Sequence, residues 1–491
     1  MTLERLMEVV SGAGLVRAVQ LPGGPVLVDH VAARADQCGP GAVFVCIPGV
    51  AVDGHDFAPQ AAAHGASALI VEREVPVAAP QLVVKDARVA VALAAAAFEG
   101  NPAHVVRTVG VTGTNGKTTC AYLLRAVLGA SEVSAGLLST VEVIIGNRSE
   151  PPTHTTPDPV TLQHLLARMR DAGDRACAME VSSHALVQRR VAGIPFTAAL
   201  FTNLTQDHLD FHHDMETYFQ AKRSLFARPD GDGPDPPGAA NADDPWGARL
   251  VAELDLLGYG VGDAAEIHPL EYRQTPSGTW AQVATPRGSL EITSHLRGDF
   301  NVLNILGVVA VGELLGLPHE QIVRGIVGLA GVPGRLEPIV VGQPFQVLVD
   351  YAHTPDALAN VLRTVRGLAG DHQVIVVFGC GGDRDRGKRP LMGYIATHLA
   401  DVAIVTSDNP RSEDPDTIID EIVVDAGDAR GRLRIEPDRR AAIADAIALA
   451  EAGDVVLIAG KGHERGQEIA GRVLAFDDRD VAREVLRGHA A

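Results

Sequence analysis

GVTGTNGKTTC, Gly110 to Cys120, stands between the apolar run VVRTV and the helix-like AYLLRAVLGA, where a strand turns into a helix. Glycines in such a turn let the backbone approach a ligand closely, and the amides of the helix N-terminus point at whatever occupies it. Lys117 adds a cation and Thr118 a hydroxyl, a combination that suits a nucleoside triphosphate with its magnesium. The strict G-x-x-x-x-G-K-[ST] spacing requires glycine at position 111, where Val111 stands. The shorter G-x-x-G-K-T, Gly113 to Thr118, is the form that matches. Strand, turn, Lys, Thr and helix in that order disfavour a chance glycine-rich turn.

Working outward, 491 residues are too many for one ordinary core, and about 150 residues per domain predicts three. A formal charge of −19 repels nucleic acid and acidic membrane surfaces, so a phosphate site must be built from local cations and amides, and no nucleic-acid partner is expected. Cys38, Cys46, Cys120, Cys177 and Cys380 are scattered and odd in number, which argues against a disulfide framework and a thiolate zinc site. MTLERLMEVVSGAGLVRAV lacks the basic start of a signal peptide. Asn304 and Glu313 interrupt the apolar run Asn301 to Leu317, predicting a buried helix rather than a membrane span. The expectation is a soluble, cytoplasmic, monomeric protein with no membrane insertion.

Short apolar runs alternate with amphipathic segments, which predicts α/β layers with largely parallel sheets. Residues 1–104 carry their own strand signals, GAVFVCIPG and ASALIVE, and the helix signal ARVAVALAAAAFEG. The phosphate loop opens a second domain, 105–332, with strands at RACAMEV and FTAALFTNL. Within it Arg228 to Gly247, rich in Pro, Gly and Asp, is expected to be a surface loop. A boundary falls at GVPGR, Gly331 to Arg335. Beyond it, over 333–491, apolar strands run repeatedly into polar turns, predicting a Rossmann-like domain.

Ligands collect at the carboxyl ends of parallel strands. The strand following the phosphate loop ends in MEVSSHAL, with Glu180 at its tip and Ser182, Ser183 and His184 behind; the next ends in TNLTQDHLDFH, with Asp207, His208 and Asp210. Glu180 alone fits metal ligation and helix capping equally, but two such tips beside a phosphate loop favour metal. Lys222, on YFQAKRSLF, reads from its neighbours as a snorkelling lysine. HTTPD, His154 to Asp158, suits hydrogen bonding to a polar substrate or simple turn making. DYAHTPD places Asp350, His353 and Asp356 at one turn, for ribose hydroxyls, an exocyclic amine or, at Asp356, a helix cap. GCGGDRDRGKRPLM reads as a solvated hinge. In SDNPRSEDP, Pro410 stiffens the turn and Arg411 offers a planar fork for a carboxylate. AGKGHERGQ brings Lys461, His463 and Glu464 to another strand end, where Glu464 can accept from an ammonium group.

GTNGKTT, HTTPD, MEVSSHAL.Q.R, FTNLTQDHLDFH, GDFNVLN, GVPGRLE, DYAHTPD, GCGGDRDRGKRPLM, SDNPR and GKGHE together resemble the Mur ligase family along nearly the whole chain. The branch most resembled extends UDP-N-acetylmuramoyl-L-Ala-D-Glu. The resemblance implies a three-domain α/β enzyme of peptidoglycan precursor synthesis: an N-terminal UDP-binding domain, a central P-loop ATPase-type parallel sheet and a C-terminal Rossmann-like, amino-acid-binding domain. It implies that ATP phosphorylates the glutamate side-chain carboxylate and that an amine displaces the phosphate. Gly113, Thr114, Asn115, Gly116, Lys117, Thr118, Thr119, Asn301, Arg335, Asp350 and His353 match family positions around ATP. Thr118, Glu180, His208 and Lys222 match those around Mg²⁺, with Lys222 carbamylated; Lys117, Glu180, His208 and Lys222 are the implied catalytic set. Thr155, Thr156, Ser182, Gln188 and Arg190 match positions holding the muramoyl dipeptide. Arg384, Asp408, Asn409, Pro410, Arg411, Gly460 and Glu464 match those choosing the amino acid, and the D-N-P-R form implies meso-diaminopimelate, with Arg411 on its distal carboxylate and Glu464 on the distal ammonium.

One family feature departs. The usual Asp-Ser-Arg ahead of PG..F is replaced by VAARADQCGPGAVFV, with Ala33 before Arg34, which leaves the UDP contact of that serine to other groups. The rivals are the same fold adding L-lysine, a folylpolyglutamate or cyanophycin synthetase, and a nucleotide-binding regulatory protein without turnover. Arg411 speaks against the first, HTTPD and DNPR against the second, and Lys117, Glu180, His208 and Lys222 against the third.

Overall fold

The computed structural model describes residues 1–20, 24–49, 52–130, 133–229, 233–275, 277–424 and 432–489. Near the N-terminus a five-stranded sheet has the spatial order Val16–Gln20, Gln81–Val84, Ala68–Val71, Ala42–Val45, His30–Ala32. Only the first strand is antiparallel to its neighbour. The three middle strands are buried at every residue, as unbroken apolar runs covered on both faces must be. The alanine-rich helix Ala87–Phe98, capped by Asp86, closes this core and packs on the helix Pro159–Asp171.

The strand of the opening motif, Arg107–Thr112, lies inside an eight-stranded sheet, flanked in parallel by Ala176–Glu180 and Ala198–Phe201. Its helix, Lys117–Gly129, begins directly after Gly116, whose φ is 85°. A Cβ on Gly116 would lie 2.4 Å from Asn304 Oδ1, and one on Gly113 (φ 146°) would lie 1.8 Å from Thr202 Oγ1. Only glycine fits either place. The buried helix predicted within Asn301 to Leu317 spans Asp299–Leu314 and packs its apolar residues into the core beneath the sheet.

Three features differ from the sequence reading. The strand carrying Glu180 is not the next one after the phosphate loop: Ala135–Leu138 and an antiparallel hairpin, Val143–Ile145 with Arg148–Glu150, come first. The expected loop Arg228 to Gly247 contains a buried strand, Gly238–Asn241, in which Ala239 and Ala240 reach full burial without bulk, and its residues 230–232 lie outside the described ones. His268–Thr275, Gly278–Thr285 and Gly288–Ser294 add an antiparallel sheet outside the expected parallel layers, its last strand alternating between buried and exposed residues.

The last large sheet runs Glu337–Pro338, Gln346–Asp350, Val455–Ala459, Val374–Phe378, Val402–Val405, Arg432–Ile435, parallel except at its first strand. The hairpin Gly466–Ile469 with Arg472–Ala475 follows. Among the described residues no helix is long and apolar enough to cross a membrane.

Candidate active site

The carboxyl ends of the central strands open into a cavity of about 470 Å³. Thr114 to Thr119, Thr155, Glu180, Ser182, His208, Lys222, Asn301, Arg335, Asp350 and His353 all line it. Gly113 sits at its edge, where its carbonyl accepts from Lys117 Nζ at 3.0 Å and Lys222 Nζ at 2.7 Å.

Glu180 is almost wholly buried, and no cation lies within ion-pair distance of it among the described residues. Its carboxylate accepts from the Thr140 N–H at 2.8 Å and lies 3.1 Å from the Thr140 hydroxyl. It is not a helix cap; Ser182 caps Ser183–Val187, accepting from Ala185 N. Lys117 curls back onto its own loop, donating also to Thr114 O at 2.7 Å. Burial lowers the Lys117 pKa, against the pull of Glu180 and Asp207.

Lys222 does not snorkel. It is 1% exposed, donates to Gly113 O and rests 4.6 Å over the Tyr218 ring, because the helix Met215–Arg223 turns this face inward. Burial, reinforced by Lys117, drives its pKa well below the ordinary lysine value. His208 has a left-handed backbone, φ 55°, and its Nε2 lies 3.3 Å from Asp207 Oδ2; burial pushes its pKa down to about 4. Burial alone would raise Asp207, but His208, His353, Lys388 and Lys117 together hold it below the usual carboxylate value.

The opposite wall comes from the C-terminal sheet. Arg335 donates to Thr118 Oγ1 at 3.0 Å and stacks 4.5 Å over Tyr351. Asn115 Nδ2 donates to Asp356 Oδ2 at 3.0 Å; Asp356 is not the cap of its helix, a place taken by Thr354. Asp350 accepts from the Leu336 and Ala352 amides, holding the turns that carry Arg335 and His353, and burial raises its pKa. His353 donates through Nδ1–H to Tyr351 O at 2.8 Å, and burial lowers its pKa to about 4. Asn301 joins Arg297 O to the Asn304 amide.

Two satellite groups adjoin the cavity. Thr156 donates to Glu180 O, while Arg190 donates twice to Gln188 Oε1 and once to Thr156 O, so these residues brace the HTTPD loop. On the C-terminal strand ends, Glu464 Oε2 accepts from Asn409 Nδ2 and from Lys461 Nζ, which also bonds Asn409 Oδ1. Arg411, at φ 54°, donates to Gly382 O and faces Glu468 at 3.4 Å. Pro410 is buried in the same turn, and Asp408 Oδ2 has no hydrogen-bond partner among the described residues. A Cβ on Gly460 would meet that oxygen at 2.6 Å. Arg384 is exposed, and its side chain donates to Asp383 O. Tyr351 links the second group to the cavity wall, its ring 5.1 Å from His463 and beneath Arg335.

The reading of GCGGDRDRGKRPLM as a solvated hinge needs correction. Lys388 and Arg389 are buried, Lys388 donating to His353 O and Arg389 paired with Glu413 and Glu421. Sequence reasoning missed Thr140, which sits in no charged or glycine-rich motif, and passed over Tyr351 inside DYAHTPD in favour of its ionisable neighbours. Among the described residues no three His, Cys, Asp or Glu side chains gather closely enough to hold a metal ion by themselves. In the N-terminal sheet region Ala33 and Arg34 are exposed, with Arg34 paired to Asp36, while Asp53 caps residues 54–57 and binds Arg73.

Profiles of the Mur ligase family match three stretches: "Mur ligase family, catalytic domain" over residues 28–108, "Mur ligase middle domain" over 111–312 and "Mur ligase, glutamate ligase domain" over 334–462. The "UDP-N-acetylmuramoyl-L-alanyl-D-glutamate--2,6-diaminopimelate ligase" of Geobacillus kaustophilus is 45% identical over 466 residues, 94% of this chain and 95% of its own. A protein of the same name from Gloeobacter violaceus is 45% identical over 488 residues, 98% of each. A solved structure bearing that name superposes with a TM-score of 0.69 at 32% identity, covering 96% of this chain and 97% of its own. A MurF ligase from Thermotoga maritima, in complex with ADP, shares the fold, with a TM-score of 0.62 at 19% identity over 94% of this chain and 99% of its own.

Proposed function

The chain belongs to the Mur ligase family, and on that premise we propose that it joins meso-diaminopimelate to the D-glutamate side-chain carboxylate of UDP-N-acetylmuramoyl-L-Ala-D-Glu, in the cytoplasm, at the expense of ATP. The observation that carries this reading is one cavity walled by the phosphate loop, Glu180, Lys222 and the HTTPD threonine Thr155 on one side and by Arg335 and His353 on the other. Such a site can place a nucleotide against a carboxylate. We assign residues 1–104 to the UDP end, 105–332 to ATP and 333–491 to the amino acid, a division supported by sheets that each stay within one of these ranges.

A carboxylate is a poor electrophile until its oxygen becomes a leaving group. Phosphoryl transfer to the glutamate oxygen supplies that, and attack by the amine then forms the amide and expels phosphate. Lys117, freed from Gly113 O and Thr114 O, would turn to the transferring phosphoryl oxygens, and the amides of 116–118 would cradle them, those of Thr114 and Asn115 being held by Asn203. Arg335, already on Thr118, is placed to neutralise charge from the facing side.

The family uses ATP and Mg²⁺. A buried carboxylate with no ion-pair partner among the described residues, lining the same cavity as Thr118, fits a divalent ion held by oxygen ligands. Thr118, Glu180, His208 and Lys222 would hold it, and when bound it neutralises phosphate charge. Lys222 suits this only as a carbamate: its depressed pKa leaves a neutral amine able to add to CO₂, losing a proton and becoming an anion.

Selectivity rests on Arg411. Its fork would leave Gly382 O and Glu468 to take the distal carboxylate of meso-diaminopimelate, which lysine lacks, while the free oxygen of Glu464 takes the distal ammonium. The test is Arg411→Ala, assayed for the mass of the UDP-tripeptide formed from either amino acid. Preference for meso-diaminopimelate over lysine should fall at least about tenfold while ATP KM stays unchanged; an unaltered preference removes Arg411 from the role.

A further inference from the structure

Thr140 belongs to none of the motifs, yet two parts of the site meet on it. It occupies a tight turn fixed by the buried Ser139, whose hydroxyl donates to Glu142 O and accepts from the Val141 and Glu142 amides. From there the Thr140 N–H reaches Glu180 Oε1 at 2.8 Å, and its Oγ1 stands 3.1 Å from Glu180 Oε2 and 3.2 Å from Thr155 Oγ1. A hydroxyl has one proton, and an ionised carboxylate only accepts. Both bonds have the Thr140 hydroxyl as donor, so its one proton is shared between the Glu180 carboxylate and Thr155, and the turn at Thr140 ties the cavity-lining Thr155 to that carboxylate.

We propose that Thr140 is a positioning residue that clamps both oxygens of Glu180 and, through its hydroxyl, holds Thr155, and with it the loop that meets the acyl substrate, against that carboxylate. The proposal rests on the ligase reading above for the substrate's identity. One hydroxyl thus ties the substrate loop to the carboxylate that lines the cavity together with the phosphate loop. Thr140 acts through Glu180 and Thr155 and touches no reacting atom.

The test uses the full chain as wild type, Thr140→Val, Thr140→Ser and Thr155→Val. Mn²⁺ is titrated in the presence of ADP and followed by electron paramagnetic resonance, alongside steady-state kinetics with the UDP-linked dipeptide. Thr140→Val, which keeps the branched shape, should weaken Mn²⁺ binding and lower kcat by about tenfold or more, and Thr140→Ser should restore both to within about twofold. Thr155→Val should raise the dipeptide KM and leave Mn²⁺ affinity within about twofold of wild type. Wild-type Mn²⁺ affinity in Thr140→Val, or equal damage in Thr140→Ser, overturns the clamp. Should the valine variant not fold, the serine and Thr155 variants decide: a damaged serine variant, or an unchanged dipeptide KM in Thr155→Val, refutes the tie between Glu180 and the substrate loop. A wild-type chain that binds Mn²⁺ with ADP but forms no product defeats the ligase reading, and the Mn²⁺ arm still judges Thr140.

Discussion

Replacing Asp478 by Asn should destabilise the C-terminal sheet far more than any surface change. Arg439 and Asp478 are both fully buried and joined by two bonds, Nε to Oδ1 at 2.8 Å and Nη2 to Oδ2 at 2.7 Å. Arg439 also donates to Ala459 O at 2.9 Å and reaches Ser407 O at 3.5 Å, the residues just before Gly460 and Asp408. The amide keeps the volume but removes the charge, leaving a guanidinium buried without its counter-ion, which costs about 3–5 kcal/mol. For a unit of 150–250 residues that lowers the melting temperature by roughly 6–20 °C. Differential scanning calorimetry should show this in one transition, and the double variant Arg439→Met, Asp478→Leu should recover most of it, since no charge is then left unpaired. A shift under about 3 °C, or a double variant no better than Asp478→Asn, would refute the argument.

His212 is buried against Ser183 Oγ, and burial, with His184 and Lys222, pushes its pKa to about 4. The unfolded chain takes up this proton near pH 6.5, so the stability is complete above that pH and is lost as pH falls toward 4, about 2 kcal/mol between pH 7 and 5. Urea midpoints of His212→Gln should show a shallower acid slope than wild type; equal slopes would contradict it. Gly113→Ala demands a side chain at φ 146° and 1.8 Å from Thr202 Oγ1. ADP affinity by calorimetric titration should drop at least about tenfold, with partial recovery when Thr202→Ala removes the clash but not the backbone strain; wild-type affinity would sink the reading of that glycine.

The strand-to-helix turn at Gly110 to Cys120 was legible because glycines, cation and hydroxyl sit next to one another in sequence. So were the C-terminal strands, whose apolar runs are buried on both faces. Glu180 could be picked out at a strand tip, but the cap that competed for its role, Ser182, became distinguishable only through its bond to Ala185 N. Lys222 was misread from its neighbours, because only the fold brings Gly113 O and the Tyr218 ring to it. Lys388 and Arg389 looked solvated since Glu413 and Glu421, which neutralise Arg389, lie at least 24 residues along. Thr140 left no trace in the pattern: its importance is a matter of two distances across the sheet. The strand Ala135–Leu138 is short and glycine-bearing, too weak a run to claim the place beside Glu180.

The most direct measurement is phosphate release by the purified chain with ATP, Mg²⁺ and UDP-N-acetylmuramoyl-L-Ala-D-Glu, with meso-diaminopimelate or L-lysine added. The account predicts release that needs every component and proceeds with meso-diaminopimelate alone. Release with lysine instead would contradict the assignment of Arg411, and none with either would contradict the ligase reading itself.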